Sequence, residues 1–224
     1  MIWDAGTIFA PIDIQAGATL TTGTTGVKTM DSGVLDITGA MTMNSSGSIT
    51  MQNGAAVNIY AGGSIDLTST AGFTAGTAPG IMTIAAGGTL TKSVSGSADV
   101  DIDITNNGDI HVTAGTLRID ASTLTNNANI TIDEGATLSI SNGSLINTGT
   151  IEGDGTITLF GTGTLTNDGT IEVGGIDQIG DFTVTGDIGS VSATNQFVFE
   201  IDSVGSYDQL TANDITLTAG TDEL

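Results

Sequence analysis

Three aspartates, Asp99, Asp101 and Asp103, stand at alternate positions of the run DVDID. Alternate residues of an extended chain share a face. This spacing would therefore collect three carboxylates where an oxygen-seeking ion such as Ca2+ could bind. Glu152 and Glu172, separated by 20 residues, are a second candidate pair. Neither group matches a calcium loop. After DVDID an EF-hand would need Gly where Ile104 stands and a bidentate Glu where Ile110 stands. GGIDQIGD also departs from the repeating calcium-binding nonapeptide. Solvated carboxylates are the favoured reading of both groups.

A carboxylate site that cleaves sugars needs more than acid. A polysaccharide lyase needs a cationic base near its calcium carboxylates, and a glycosidase needs a carboxylate pair across the scissile bond. The basic side chains are Lys28, Lys92, Arg118 and His111. His111 and Arg118 are expected to point outward on different faces. Nine aromatic residues leave few platforms for sugar rings. With 25 Asp plus Glu, no single carboxylate pair is diagnostic, and no catalytic residue is assigned.

The 224 residues carry 3 Lys plus Arg against 25 Asp plus Glu, a formal charge of -22. Such a surface repels nucleic acid and anionic headgroups. No stretch is long and apolar enough for direct membrane insertion. The absence of Cys removes disulfides and thiolate metal sites. MIWDAGTIFAPIDI lacks a basic leader followed by an apolar run, which reads as a mature or excised chain, or one exported by another route. The terminal TDEL, residues 221–224, resembles a retention signal without its leading Lys or His and is taken as chance.

Chemistry this sparse shifts attention to the elements. ITNNGDI begins at Ile104, LTNNANI at Leu124, LINTGTI at Leu145 and LTNDGTI at Leu165, at intervals of 20, 21 and 20. Within each unit apolar and polar residues alternate over three to five positions, as half-buried strands require. One such unit cannot bury its own apolar face, but stacked units can. Stacking predicts three inward columns: Ile110/Ile130/Ile151/Ile171, Leu117/Leu138/Ile157 and Leu124/Leu145/Leu165. It also predicts that Asn106, Asn126, Asn147 and Asn167 form a ladder of amides about 4.8 Å apart. Gly108, Gly149 and Gly169, with Ala128 as the exception, are expected to supply permissive turn backbone.

These patterns define an all-β chain: a right-handed parallel β-helix, or solenoid, with about 20-residue rungs. Residues 1–180 would hold nine or ten rungs, with 68–80 extruded as a loop. Residues 181–224, where Phe182, Phe197, Phe199 and Tyr207 gather, would form divergent terminal rungs or a cap. Thr-Leu-Thr recurs at 19–21, 89–91, 123–125 and 164–166. A continuous outward Thr column would suit ice binding, but Ser144/Ile146 and Asp103/Thr105 interrupt this one.

The L-x-N-x-G-T-I rungs, with Phe197 to Ile201 and Tyr207 to Leu210 in the closing segment, resemble passenger domains of bacterial autotransporters and haemagglutinin-type surface repeats. The resemblance covers most of the chain. It implies a secreted, extended, adhesive or structural protein at the cell surface or outside the cell. The expectation is a noncatalytic adhesin stalk or a fibre-forming subunit that assembles through its ends. Its partners would be further copies or cell-surface and matrix components, and it would require no cofactor beyond the candidate Ca2+. The alternatives are a β-helical polysaccharide-degrading enzyme and an ice-binding protein.

Overall fold

The computed structural model describes residues 1–23, 26–120, 122–176, 178–192 and 195–217. Thr and aliphatic residues alternate in runs of about four, and each run forms a short strand with one buried and one solvated face. Gly, Asn and Asp end each run, so the chain bends there and starts the next strand. Three bends complete a rung. Among the described residues the rungs stack into three ten-stranded sheets, each parallel throughout. The result is a parallel β-solenoid of about nine turns with rungs of about 21 residues. The first sheet runs from Ile2–Trp3 to Gln196–Val198, the second from Gly6–Ile8 to Gln209–Thr211, and the third from Ile12–Ile14 to Asp214–Thr216.

The core is the set of columns inside this three-sided tube. Ile110, Ile130, Ile151 and Ile171 pair in sequence along the first sheet. Leu117, Leu138 and Ile157 do so along the second, and Leu124, Leu145 and Leu165 along the third. All ten are buried. The third-sheet column runs unbroken from Ile12 to Ile215, always apolar, with Met82 the one thioether. Each such side chain contributes roughly 1.5–3 kcal/mol on burial. A one-residue slip would expose the whole column.

Asn106, Asn126, Asn147 and Asn167 end successive third-sheet strands and point into the tube, fully buried. Each donates to the next: Nδ2 to Oδ1 is 2.7 Å for Asn106 to Asn126, 2.7 Å for Asn126 to Asn147, and 2.6 Å for Asn147 to Asn167. The amides also serve the bend. Asn126 Nδ2 donates to Ala128 O and Thr150 O, and Asn147 Nδ2 to Gly149 O and Thr170 O, all at 3.1–3.3 Å. The bend carbonyls of Ala128 and Gly149, which already accept from the Thr150 and Thr170 N–H groups of the next rung at 2.7 and 2.8 Å, thereby gain a second donor inside the core.

Two expectations change. Gly108, Gly149 and Gly169 do not have positive φ; their role is close approach. A Cβ on Gly149 would lie 2.1 Å from Ala128 O, and one on Gly169 2.2 Å from Gly149 O. Residues 68–80 are not an extruded loop. Phe73–Ala75 is a second-sheet strand, paired to Ile49–Gln52, with Phe73 buried. A run of Thr, Ala and Gly around one inward residue carries too little alternation to announce a strand. The extra length of this rung falls in the bend that follows. Residues from 181 onward continue all three sheets. One antiparallel hairpin, Ile201–Ser203 with Ser206–Tyr207, is inserted in the last rung. The terminal TDEL lies outside the described residues.

Asn147→Ala removes the amide that accepts from Asn126 and donates to Asn167. It should lower unfolding stability by about 2–4 kcal/mol, because buried polar partners lose their bonds. Urea titration followed by circular dichroism measures this, and an unchanged midpoint would refute the ladder's structural role.

Candidate functional site

The DVDID carboxylates do not share a strand face. The second-sheet strand Ser97–Val100 ends before Asp101, and the third-sheet strand begins at Asp103. Alternation continues through the bend while the chain changes direction, so the three side chains diverge. Asp99 lies on the outer face of the second sheet, where Arg118 from the next rung donates through Nε at 2.8 Å and a second guanidinium nitrogen at 2.6 Å. Arg118 also lies 3.9 Å from Asp120. Asp103 accepts from the Thr123 backbone N–H at 2.8 Å.

Asp101 sits in the bend itself. It borders a groove of about 450 Å³ with Pro79, Gly80, Asp103, Asp120 and Ser122. The groove has a structural cause. Phe73–Ala75 meets the next second-sheet strand only at Phe73 and Val100, so the wall is thin there. Asp101 Oδ1 and Ser122 Oγ are both buried without a hydrogen-bond partner among the described residues. Burial, then the charges of Asp99 and Asp120, push the Asp101 carboxyl up to about 6, against the pull of Arg118. A carboxyl of this kind can hold a proton near neutrality. The nearest cation, Arg118, is committed to Asp99.

A second groove, of about 370 Å³, lies where the first sheet bends into the second. Asp133, Glu134, Glu152 and Asp154 line it. Glu152 is paired in register with Glu172 and accepts from Thr131 Oγ1 at 3.0 Å. His111 Nε2 lies 2.8 Å from Asp133 Oδ1. Asp154 is held above the usual carboxylate range by burial, then by Glu134, Asp208, Asp181 and Asp133. Among the described residues no group of three or more His, Cys, Asp or Glu is arranged to hold a metal ion.

The remaining basic residues are structural. Lys28 and Lys92 point inward and are fully buried. Lys28 Nζ donates to Gly26 O at 3.0 Å, and Lys92 Nζ donates to Val94 O. Burial lowers both ammonium pKa values, opposed by Asp4 at Lys28 and by Asp66 at Lys92. Neither can serve a substrate on the outer surface. His111 and Arg118 do face outward, on the first and second sheets.

The Thr-Leu-Thr repeats fail to form one face. Those at 19–21 and 89–91 belong to the first sheet, those at 123–125 and 164–166 to the third. A hydroxyl column that motif counting missed runs down the second sheet through Ser97, Thr116, Thr137, Thr156, Thr183 and Thr211. Thr183 and Thr211 stand at the middle and the end of their strands while the others head theirs, so only the register reveals it.

No protein-family model, curated protein or solved structure matches this chain. The fold alone defines its class, a β-solenoid repeat protein.

The raised Asp101 pKa has a sign. Between the unfolded value near 3.9 and about 6, the folded protein keeps a proton that the unfolded chain releases. This stabilisation is complete below about pH 4 and is lost as pH rises through about 6. Asp101→Asn should therefore flatten the stability profile between those values and raise stability near pH 8 by about 1 kcal/mol, after solvent screening. Urea midpoints across pH test it, and parallel profiles for the two proteins would refute the assignment.

Proposed function

We propose that this protein is a noncatalytic extracellular structural module, an acidic rod serving as a surface adhesin stalk or fibre subunit. The observation that carries this reading is the use of the side chains. Inward positions are spent on apolar columns, the Asn ladder and two internal lysines. Many outward positions are short Thr, Ser, Asn and Asp residues whose partners lie on adjacent rungs. Among the described residues no free cationic base stands beside the groove carboxylates, as a lyase would need. Arg118, beside the Asp101 groove, is bound to Asp99, and His111, beside the Asp154 groove, is paired with Asp133.

The rod also has suitable mechanics. Ten rungs about 4.8 Å apart give a body roughly 45 Å long whose axial direction is reinforced by three continuous ladders. Its charge of -22 keeps the sides of neighbouring rods apart in dilute salt. The resemblance to autotransporter passenger domains supports display at a bacterial surface, with cell-surface or matrix components as partners. No cofactor is required.

Negative-stain micrographs and small-angle scattering should show straight rods of that length. A panel of acidic and neutral polysaccharides should yield no new reducing ends or unsaturated products, and calorimetry with Ca2+ should yield no binding heat. Sugar release that disappears in Asp101→Asn would overturn the reading in favour of an enzyme.

A further inference from the structure

We infer that the corner between the first and second sheets, at the inserted hairpin, docks a partner protein through a segment that presents Leu- or Phe-like side chains beside Lys or Arg; the inference rests on the adhesin reading above and names the chemistry of its partner. The corner changes along the rod. First-sheet strands pass to second-sheet strands over short connections from Val112 to Thr116, Ile132 to Thr137 and Gly153 to Thr156. The next two, from Val173 to Asp181 and from Val198 to Gln209, are longer and more apolar. The second of them contains the antiparallel hairpin, whose strands pair with each other among the described residues and so leave the ladder.

Six apolar side chains are exposed at this corner: Ile176 and Ile179 on one rung, and Phe199, Ile201, Val204 and Tyr207 on the next. The last four frame a mainly apolar cavity of about 530 Å³. Between residues 28 and 173 the large hydrophobic residues exposed among the described residues are Tyr60, Ile81, Ile146 and Phe160, each on a different rung. The corner is a patch where the rest is scatter, and such a patch on a polar body marks an interaction surface. Its exposure belongs to the side of the rod. The rung of Ile176 and Ile179 is paired on both edges in the first and second sheets, and stacking covers neither residue. Asp208 fixes the hairpin. Buried, its carboxylate accepts from Gly180 N of the preceding rung at 2.8 Å and from Glu200 N at 2.5 Å, while Asp208 N donates to Glu200 O at 3.0 Å. A platform tied down in this way has little freedom left to lose on binding.

Charge selects the occupant. Ile176 is also a wall of the groove that Asp133, Glu134, Glu152 and Asp154 line, so apolar surface and carboxylates share a border. Asp208 acts across that border: after burial and Glu134, its charge raises the Asp154 carboxyl. Asp202 is exposed on the hairpin itself. An apolar centre with a polar rim is the anatomy of a protein interface, and this rim calls for cations. The chain has none to give. Lys28 and Lys92 are buried, Arg118 is bound to Asp99, and His111 is paired with Asp133. A second copy would set carboxylates against carboxylates, and nucleic acid or an anionic membrane would be repelled. A basic and apolar protein segment satisfies both parts at once, with Lys or Arg stems lying over the aliphatic side chains and their charged heads in the groove.

Fluorescence anisotropy with three labelled synthetic peptides of equal length tests this, on the full chain in about 0.15 M NaCl: one alternates Leu and Arg, one Ser and Arg, one Leu and Glu. The Leu–Arg peptide should saturate a single site, and the other two should bind at least about tenfold more weakly. Ile201→Ser combined with Val204→Ser should weaken the Leu–Arg peptide by about tenfold. Glu134→Lys with Glu152→Lys should do the same, whereas Asp13→Lys with Asp109→Lys, equal in charge but away from the corner, and Ile146→Ser should not. Val204→Ser alone, at a fully exposed position, serves where the double variant loses its circular dichroism. Equal binding of the Ser–Arg peptide would reveal only general attraction to the charge of -22, equal binding of the Leu–Glu peptide only apolar contact, and either would overturn the inference. So would full affinity in the hairpin variants, or no saturation by the Leu–Arg peptide up to about 1 mM. Binding to phosphatidylcholine vesicles, or a dimer in sedimentation velocity, that the hairpin variants lose would put a lipid or a second copy there instead. Each of these outcomes leaves the molecule a rod; globular particles or sugar release would sink the adhesin reading itself.

Discussion

Every feature of this molecule depends on one constraint, that parallel strands stack in register so each side chain lies directly over its counterpart about 4.8 Å away. Inside the tube a residue is therefore judged mainly by what stands above and below it. Aliphatic residues satisfy the constraint by contact and asparagines by passing a hydrogen bond along the stack. Lysine satisfies it only at a bend. Lys92 sits between Leu67 and Val112 in the first-sheet column, and its methylene stem fills that apolar slot while the ammonium reaches a bend carbonyl. Lys28 does the same at the equivalent bend of another rung.

The same constraint acts on charge outside the tube. A carboxylate stacked on a carboxylate is repelled at close range, and many outward acids here stack instead on donors. Asp36 accepts from Asn58 at 2.8 Å, Asp31 from Gln52 at 2.9 Å and Asn53 at 2.7 Å, and Asp66 from Ser93 at 2.6 Å. Asp99 takes the one arginine. This arrangement lets a chain of charge -22 hold three long ladders together. The like pairs that remain include Asp13 with Asp36 and Asp187 with Asp214, both in the terminal pairs of rungs, and Glu152 with Glu172.

Legibility of the sequence followed periodicity. Between residues 104 and 173 the phrases repeat closely enough to set the register by inspection, so the three columns and the asparagines can be placed before any coordinates are known. The inward lysines were also within reach. In KTMD and TLTK each lysine stands two residues from an inward Met30 or Leu90, and alternation alone puts it inside. What hid them was the prior that lysine is solvated. The DVDID run misled for a different reason. Composition shows an alternation but not the bend that breaks a face at Val100, and Ile102 is buried between two strands rather than within one. Phe73 was missed because Thr, Ala and Gly around it have no apolar rhythm.

Departures from periodicity are where a solenoid can place function, since regular rungs present the same short polar groups over and over. Two kinds of departure occur here, and they differ in consequence. At the Phe73 rung the wall thins and a groove opens, but its walls are acidic and the nearest cation is already bound to Asp99. Such walls repel anionic sugars and phosphates. At the hairpin Ile201–Ser203 with Ser206–Tyr207 the chain leaves the ladder, and Phe199, Ile201, Val204 and Tyr207 are exposed around a mainly apolar cavity of about 530 Å³. Apolar surface gathered on an otherwise polar body is costly in water and is relieved when it is covered. Regular rungs offer only short polar groups, so this departure supplies what they lack, contact area without charge.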